Sequence, residues 1–248
     1  MPSPTNMTPP KNSFAFAPLY NSPAHSFAGD TQKQHASAGE APPVVMSHDA
    51  TGAFQPGVKY FKELYSKNGG NVGTLLFDNH SKGGQIFDSI IHAIQIGPNQ
   101  LDAVAYFGHG YPHGMASAHI AEGSVKTFAA AIRANCNPGV KIMLYACSCA
   151  RQNVPPAKHG RAGCFAQWLA SALADVNATV YGHDIAGHSY RNPTLYRYNG
   201  NNMTGTKVAP PGMDKAFRHL MHDRHSDFWA RFPFMTDGAI KAEVAAHG

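Results

Sequence analysis

Residues 101–110 read Leu-Asp-Ala-Val-Ala-Tyr-Phe-Gly-His-Gly, and residues 140–149 read Val-Lys-Ile-Met-Leu-Tyr-Ala-Cys-Ser-Cys. Each is an apolar run that stops at a reactive side chain, His109 in the first and Cys147 in the second. The runs are nearly unbroken rather than alternating, as expected for strands covered on both faces. Between them, Ile120 to Asn135 has helical spacing, with Val125, Phe128, Ala129 and Ile132 on one face. Strand, helix, strand implies a parallel pair joined by a right-handed crossover. Both carboxyl ends then fall on one edge of the sheet, where open α/β sheets place their sites. His109 and Cys147 are thereby expected side by side.

The same alternation continues outward. Gly73 to Phe77 reads as a strand, followed by a helix over Gln85 to Ile96 with Ile86, Ile90 and Ile94 as its buried stripe. Gly108 to Ala118 and Arg151 to Arg161 read as loops. Gly163 to Val176 is the most regular helix, because Phe165, Trp168, Leu169, Ala172, Leu173 and Val176 share a face. A strand at Ala178 to Tyr181 follows, giving β-α-β-α-β-α-β, an α/β three-layer pattern with a mostly parallel sheet. Tyr60 to Tyr65 predicts a short helix, Thr194 to Tyr198 a strand, residues 199–213 turns, and Lys215 to Trp229 a helix. The segment from Asp237 predicts a short amphipathic helix.

Residues 1–50 are rich in Ser, Thr, Pro, Ala, Asn and Gly and read as a disordered leader. The expected organisation is therefore a leader over 1–50, an α/β domain over 51–213, and a helical extension over 214–248 that packs on it. With 43% hydrophobic residues, the 248-residue chain has material for a substantial core. The formal charge of +5 is spread thinly, with no basic run interleaved with aromatics, so no nucleic-acid surface is indicated. No apolar run approaches the ~20 residues of a membrane span. The start of the chain lacks a basic region followed by an apolar core, so no conventional signal peptide is expected. The four cysteines, at 136, 147, 149 and 164, are clustered and do not form a disulfide framework, which favours a reducing compartment. A cytoplasmic location is expected. The alternative is export with an unstructured leader of the kind carried by injected bacterial effectors.

A cysteine at the end of a buried strand is well placed as a nucleophile, since a nearby imidazole can generate its thiolate. The sharp turns after both strands can leave backbone N–H groups aimed at one point. Gly110, lacking a side chain, can approach a substrate closely, and its N–H with that of Cys147 can hold a developing oxyanion. Cys147 would attack a carbonyl carbon, and His109 would protonate the leaving amine.

The motifs Tyr106-Phe107-Gly108-His109-Gly110 and Leu144-Tyr145-Ala146-Cys147 resemble those of the caspase-like cysteine peptidases of clan CD, which include caspases, metacaspases, legumains and gingipains. The resemblance covers roughly residues 70 to 200. It implies a caspase-like three-layer sandwich, a His109/Cys147 catalytic dyad and a protein or peptide substrate. No cofactor and no metal are expected, and the oligomeric state is left open. The chain departs from the family downstream of Cys147, where Ser148-Cys149-Ala150-Arg151 replaces the caspase Arg-Gly, and it lacks the Asp before the metacaspase nucleophile. Caspase-type specificity for Asp is therefore not implied. The alternatives are an inactive caspase-like binding module and another cysteine-dependent acyl transferase or deamidase.

Asp184 is the candidate carboxylate for a basic specificity pocket, while Tyr111, Tyr190 and Arg191 sit in loops expected at the same edge. His113 is a rival base, and Cys149 a candidate resolving or metal-binding thiol. Cys-x-Cys is not a standard structural zinc spacing, however. Cys164 reads as a packing residue, and His219, His222 and His225 as a solvated helix face.

Overall fold

Side chains alternate sides along a strand, so a strand buried on both faces needs two different helical layers above and below it. The computed structural model describes residues 12–18, 54–66, 69–78, 80–185, 195–200, 202, 204–208 and 236–247, and has this arrangement. One sheet contains β1 (Asn12–Pro18), β2 (Asn71–Phe77), β3 (Leu101–Phe107), β7 (Cys136–Tyr145), β8 (Thr179–His183), β9 (Leu195–Asn199) and β10 (Thr206–Lys207). Their order is β10-β9-β8-β7-β3-β1-β2. Strands β1, β2, β3, β7 and β8 run parallel, whereas β9 and β10 return antiparallel. The chain therefore reverses its direction of travel across the sheet between β1 and β3, a doubly wound arrangement with its switch point there.

The helices are α1 (Phe54–Ser66), α2 (Gly83–Ile96), α3 (Val125–Asn135), α4 (Phe165–Ala172) and α5 (Asp237–His247). On one face, Phe14, Phe16, Val104, Tyr106, Ile142, Leu144 and Val180 pack with the apolar sides of α2, α3 and α4. On the other, Ala15, Ala17, Ala103, Ala105, Phe107, Met143, Tyr145 and Tyr181 pack with α1 and α5. The second face is built from small strand residues beneath α1, and Phe54, Tyr60, Phe61 and Tyr65 fill the space that the alanines leave. Each such buried aromatic contributes roughly 2–3 kcal/mol. The exposed Lys59–Asp237 ion pair at 2.8 Å, which joins α1 to α5, adds little beside this burial. The small end helix packs against this layer through Ile240 and Val244.

Several expectations are corrected. Residues 12–18 are not disordered: they form β1, the strand that joins β2 to β3. Phe14-Ala15-Phe16-Ala17 is a short buried strand whose signal is diluted by the Pro- and Ser-rich sequence around it. The α/β unit accordingly begins well before residue 51; the rest of 1–50 lies outside the described residues. Helix α1 runs longer than Tyr60–Tyr65 because Pro56 falls in its first turn, where a missing N–H costs no helical bond. The loop expected at 108–118 is a small antiparallel meander, β4 (Gly110–Tyr111), β5 (Gly114–Met115) and β6 (Ile120–Ala121). Its last strand takes Ile120 and Ala121, so α3 starts only at Val125. Strand β7 starts earlier than residue 140, and the helix over 163–176 divides into α4 and a 3₁₀ turn at Ala174–Val176. The helix expected at Lys215 to Trp229 lies outside the described residues.

Removal of residues 1–18 is expected to abolish cooperative folding, because β2 pairs only with β1 among the described strands. Near-ultraviolet circular dichroism and thermal unfolding of the shortened chain test this. A native-like spectrum with an unchanged transition would show that β1 is dispensable.

Candidate active site

Parallel register decides which loop residues meet. The last matched pair of β3 and β7 is Phe107 with Tyr145, and the Gly108 N–H still donates to Tyr145 O at 3.2 Å. His109 and Cys147 each lie two residues beyond that pair, at the carboxyl edge of adjacent strands.

Two glycines allow the His109 turn to sit where it does. The Tyr106 hydroxyl occupies the position where a Cβ on residue 108 would lie. A Cβ on residue 110 would meet Cys149 Sγ at 2.6 Å, Ala146 Cβ at 2.7 Å and Cys147 O at 2.8 Å. The bare Gly110 backbone is therefore needed for packing against the Cys147 turn, a role the sequence had suggested for substrate approach. Ala116 N donates to His109 O at 2.9 Å, closing one rung of the β4–β5 hairpin. Rungs alternate along an antiparallel ladder, so Gly110, one residue on, turns its N–H away from β5.

The backbone of His109 is held from both sides. Its N–H donates to Ser117 Oγ at 3.1 Å, and its carbonyl accepts from the Tyr106 hydroxyl at 2.9 Å. Phe54 at the start of α1 meets the imidazole edge-to-face, with centroids 5.0 Å apart at 89°. Burial pushes the Tyr106 phenol far above its ordinary range, so it remains a neutral donor.

Cys147 sits on a tight turn. Ser148 adopts a left-handed φ of 58°, which costs a non-glycine residue roughly 1–2 kcal/mol. The turn is held by Ser148 N donating to Ile185 O at 3.3 Å and Ala150 N donating to His183 O at 3.0 Å. It is also clamped to α4, where Ala166 N donates to Cys149 O at 2.9 Å. As a result Cys147 keeps 8% of its surface exposed, whereas Cys149 has none. The Cys149 thiol points towards β5 and donates to Gly114 O at 3.4 Å. Burial pushes it well above the ordinary thiol range, and a charge on Cys147 would raise it further. Beneath the edge, Tyr145 contacts Phe107 at 5.4 Å on one side and His183 at 6.0 Å on the other.

His109, Gly110 and Cys147 thus stand at the carboxyl edge of the sheet, just past the ends of two paired strands. Tyr111 lies beside them in β4, half-buried, with its phenol raised by burial. Asp184 stands at the end of β8, where its Oδ1 accepts from Gln152 N at 3.0 Å and ties down the loop after Cys147. Tyr190 and Arg191 lie outside the described residues, as do His219, His222 and His225. His113 does not reach the site: its ring stacks on Trp168 at 5.3 Å and bonds Pro155 O at 3.1 Å. Cys164 is buried at the N-cap of α4, its thiol raised by burial, consistent with packing. Among the described residues no three His, Cys, Asp or Glu side chains converge as a metal site.

Sequence reasoning missed Phe54, Tyr106 and Ser117 as neighbours of His109. Tyr106 reads as one more core residue of an apolar strand, and Ser117 as an ordinary loop residue. The only sequence signal for the clamp is the glycine after Tyr-Phe, whose reason is invisible until the hydroxyl is located.

Residues 73–190 match the profile of a family described as a domain of unknown function, DUF8616. The match runs from β2 to beyond β8 and includes both His109 and Cys147. No curated protein matches the chain.

Gly110→Ala is expected to destabilise the fold by roughly 1–3 kcal/mol, the cost of overpacking, because two of the three neighbours are backbone or a Cβ. Urea unfolding at neutral pH measures it, and an unchanged midpoint would contradict the contact. A second expectation concerns pH. Cys149 keeps its proton in the fold, while in the unfolded chain it loses it near pH ~8.5. The unfolded state therefore binds fewer protons above that point, and stability falls as pH rises through it. Cys149→Ala should flatten this decline. Parallel slopes for the two proteins would refute the assignment.

Proposed function

We propose that the chain is a caspase-like cysteine endopeptidase with Cys147 as nucleophile and His109 as general acid and base. The observation that carries this is the shared register: both residues lie two positions past the Phe107–Tyr145 pair on adjacent parallel strands. A cysteine on a tight turn, a histidine held by its own backbone and a bare Gly110 support the same reading. The caspase-like form of the α/β sandwich is part of the proposal, resting on the two strand-end motifs.

The chemistry is an acyl transfer to sulfur followed by hydrolysis. The Cys147 thiolate attacks the peptide carbonyl carbon, forming a C–S bond and moving the π electrons onto oxygen. The N–H groups of Gly110 and Cys147 stabilise that oxyanion, an effect worth about 10²–10³ in rate per donor. As the C–N bond breaks, protonated His109 transfers its proton to the departing amine. Neutral His109 then takes a proton from water, whose oxygen attacks the thioester. The thiolate leaves, and a carboxylic acid product dissociates. Asp184 and Tyr111 flank this centre and are proposed to contact substrate, together with Tyr190 and Arg191.

Cys147→Ala and His109→Ala should each reduce cleavage of a peptide library by about a thousandfold or more while leaving thermal unfolding unchanged. Product termini identified by mass spectrometry also separate peptide cleavage from deamidation. Full cleavage by the Cys147→Ala protein would remove the proposal.

A further inference from the structure

We propose that Tyr106 and Ser117 are positioning residues that lock His109 by hydrogen bonds to both polar atoms of its backbone. The inference rests on the dyad reading but goes beyond it, since neither residue touches substrate or the reacting atoms.

Two side-chain contacts hold the His109 backbone. His109 N–H donates to Ser117 Oγ at 3.1 Å. The Tyr106 phenol O–H donates to His109 O at 2.9 Å. Both the N–H and the C=O of His109 are thus engaged by side chains. Ala116 N adds a second donor to the same His109 carbonyl at 2.9 Å.

Three features distinguish this from ordinary packing. The Tyr106 hydroxyl enters the space left by Gly108, so the strand-end glycine and the phenol fit each other. These bonds fix a backbone position immediately beside Gly110, where an added Cβ would meet Ala146 Cβ and Cys147 O at 2.7–2.8 Å. Phe54 contacts the imidazole edge-to-face, restricting its plane once the backbone is fixed. The backbone bonds set where His109 stands, and Phe54 sets how it faces. A general acid needs both, because a misplacement of ~1 Å can cost as much as about a hundredfold in rate.

The test uses iodoacetamide as probe and needs no substrate. The full chain is alkylated across a range of pH, and the adduct at Cys147 is quantified by peptide mass spectrometry, with the Cys147→Ala protein as blank. In the wild type, His109 stabilises the thiolate, so the rate rises at a pH below the usual ~8.5 of a free thiol. His109→Ala should move that rise up towards the free-thiol value. Tyr106→Phe and Ser117→Ala should move it in the same direction, with Cys147 labelling about ten- to a hundredfold slower on the acid side. Ser117→Thr, which keeps the hydroxyl, should restore it. Thermal unfolding is recorded for each protein. If Tyr106→Phe unfolds, the Ser117→Ala and Ser117→Thr pair carries the test.

A shift with His109→Ala but wild-type profiles for Tyr106→Phe and Ser117→Ala would overturn the positioning role and leave the dyad standing. A wild-type profile for His109→Ala would instead remove the dyad itself.

Discussion

Parallel pairing of β3 with β7 is the constraint on which the site depends. A parallel ladder matches residues in steady register, so aligning Phe107 with Tyr145 also aligns the loop residues after each strand. A slip of one residue would turn every side chain on one strand to the opposite helical layer. The alternate residues of these strands already serve two distinct cores, one under α2, α3 and α4 and one under α1 and α5. Past the irregularity between Leu101 and Ala103, register is therefore fixed by burial from Ala103 to Phe107, and the two loops inherit their alignment from it. The site is accurate because the core is.

Once the strands have set the edge, the turns complete it by close contact. Gly108 admits the Tyr106 hydroxyl, and Gly110 admits the Ala146–Cys149 turn. On the other side, Ser148 is held in a left-handed conformation by backbone bonds to the end of β8 and its continuation. The Cys147 turn is thus gripped by β3's loop, by β8 and by the N-terminus of α4. That grip also sorts the thiols. Cys149 is fully sealed and protonated beneath Gly110, while Cys147, two residues earlier, is buried less completely.

Much of this was legible in the sequence because the decisive elements are local and strongly patterned. Apolar runs ending in Gly-His-Gly and Ala-Cys specify two buried strands and their exits. The order β-α-β supplies the parallel pairing. The illegible parts depend on distant partners. β1 is seven residues, Asn-Ser-Phe-Ala-Phe-Ala-Pro, inside a leader of disordered composition, and only β2 and β3 make it a strand. Phe54 precedes Pro56-Gly57, which reads as a helix stop although it falls in a first turn. The meander after His109 is built from two-residue strands too short to leave a periodic signal. Substrate recognition is less legible still, since Asp184 is drawn into capping Gln152 N and two further candidates lie outside the described residues.

The proposed chemistry asks one thing of the molecule: that Cys147 alone among its four thiols be activated. Cys147, Cys149 and Cys164 are buried, and Cys136 is half-buried at the start of β7, at the opposite end of the strand from Cys147. Burial raises the thiols of Cys136, Cys149 and Cys164. Mapping the adducts of a peptidyl chloromethyl ketone by mass spectrometry tests the selectivity directly. A single adduct on Cys147, lost in the His109→Ala protein, is the expected result. Labelling of Cys136 in preference to Cys147, or labelling of Cys147 that persists undiminished without His109, would contradict the paired site.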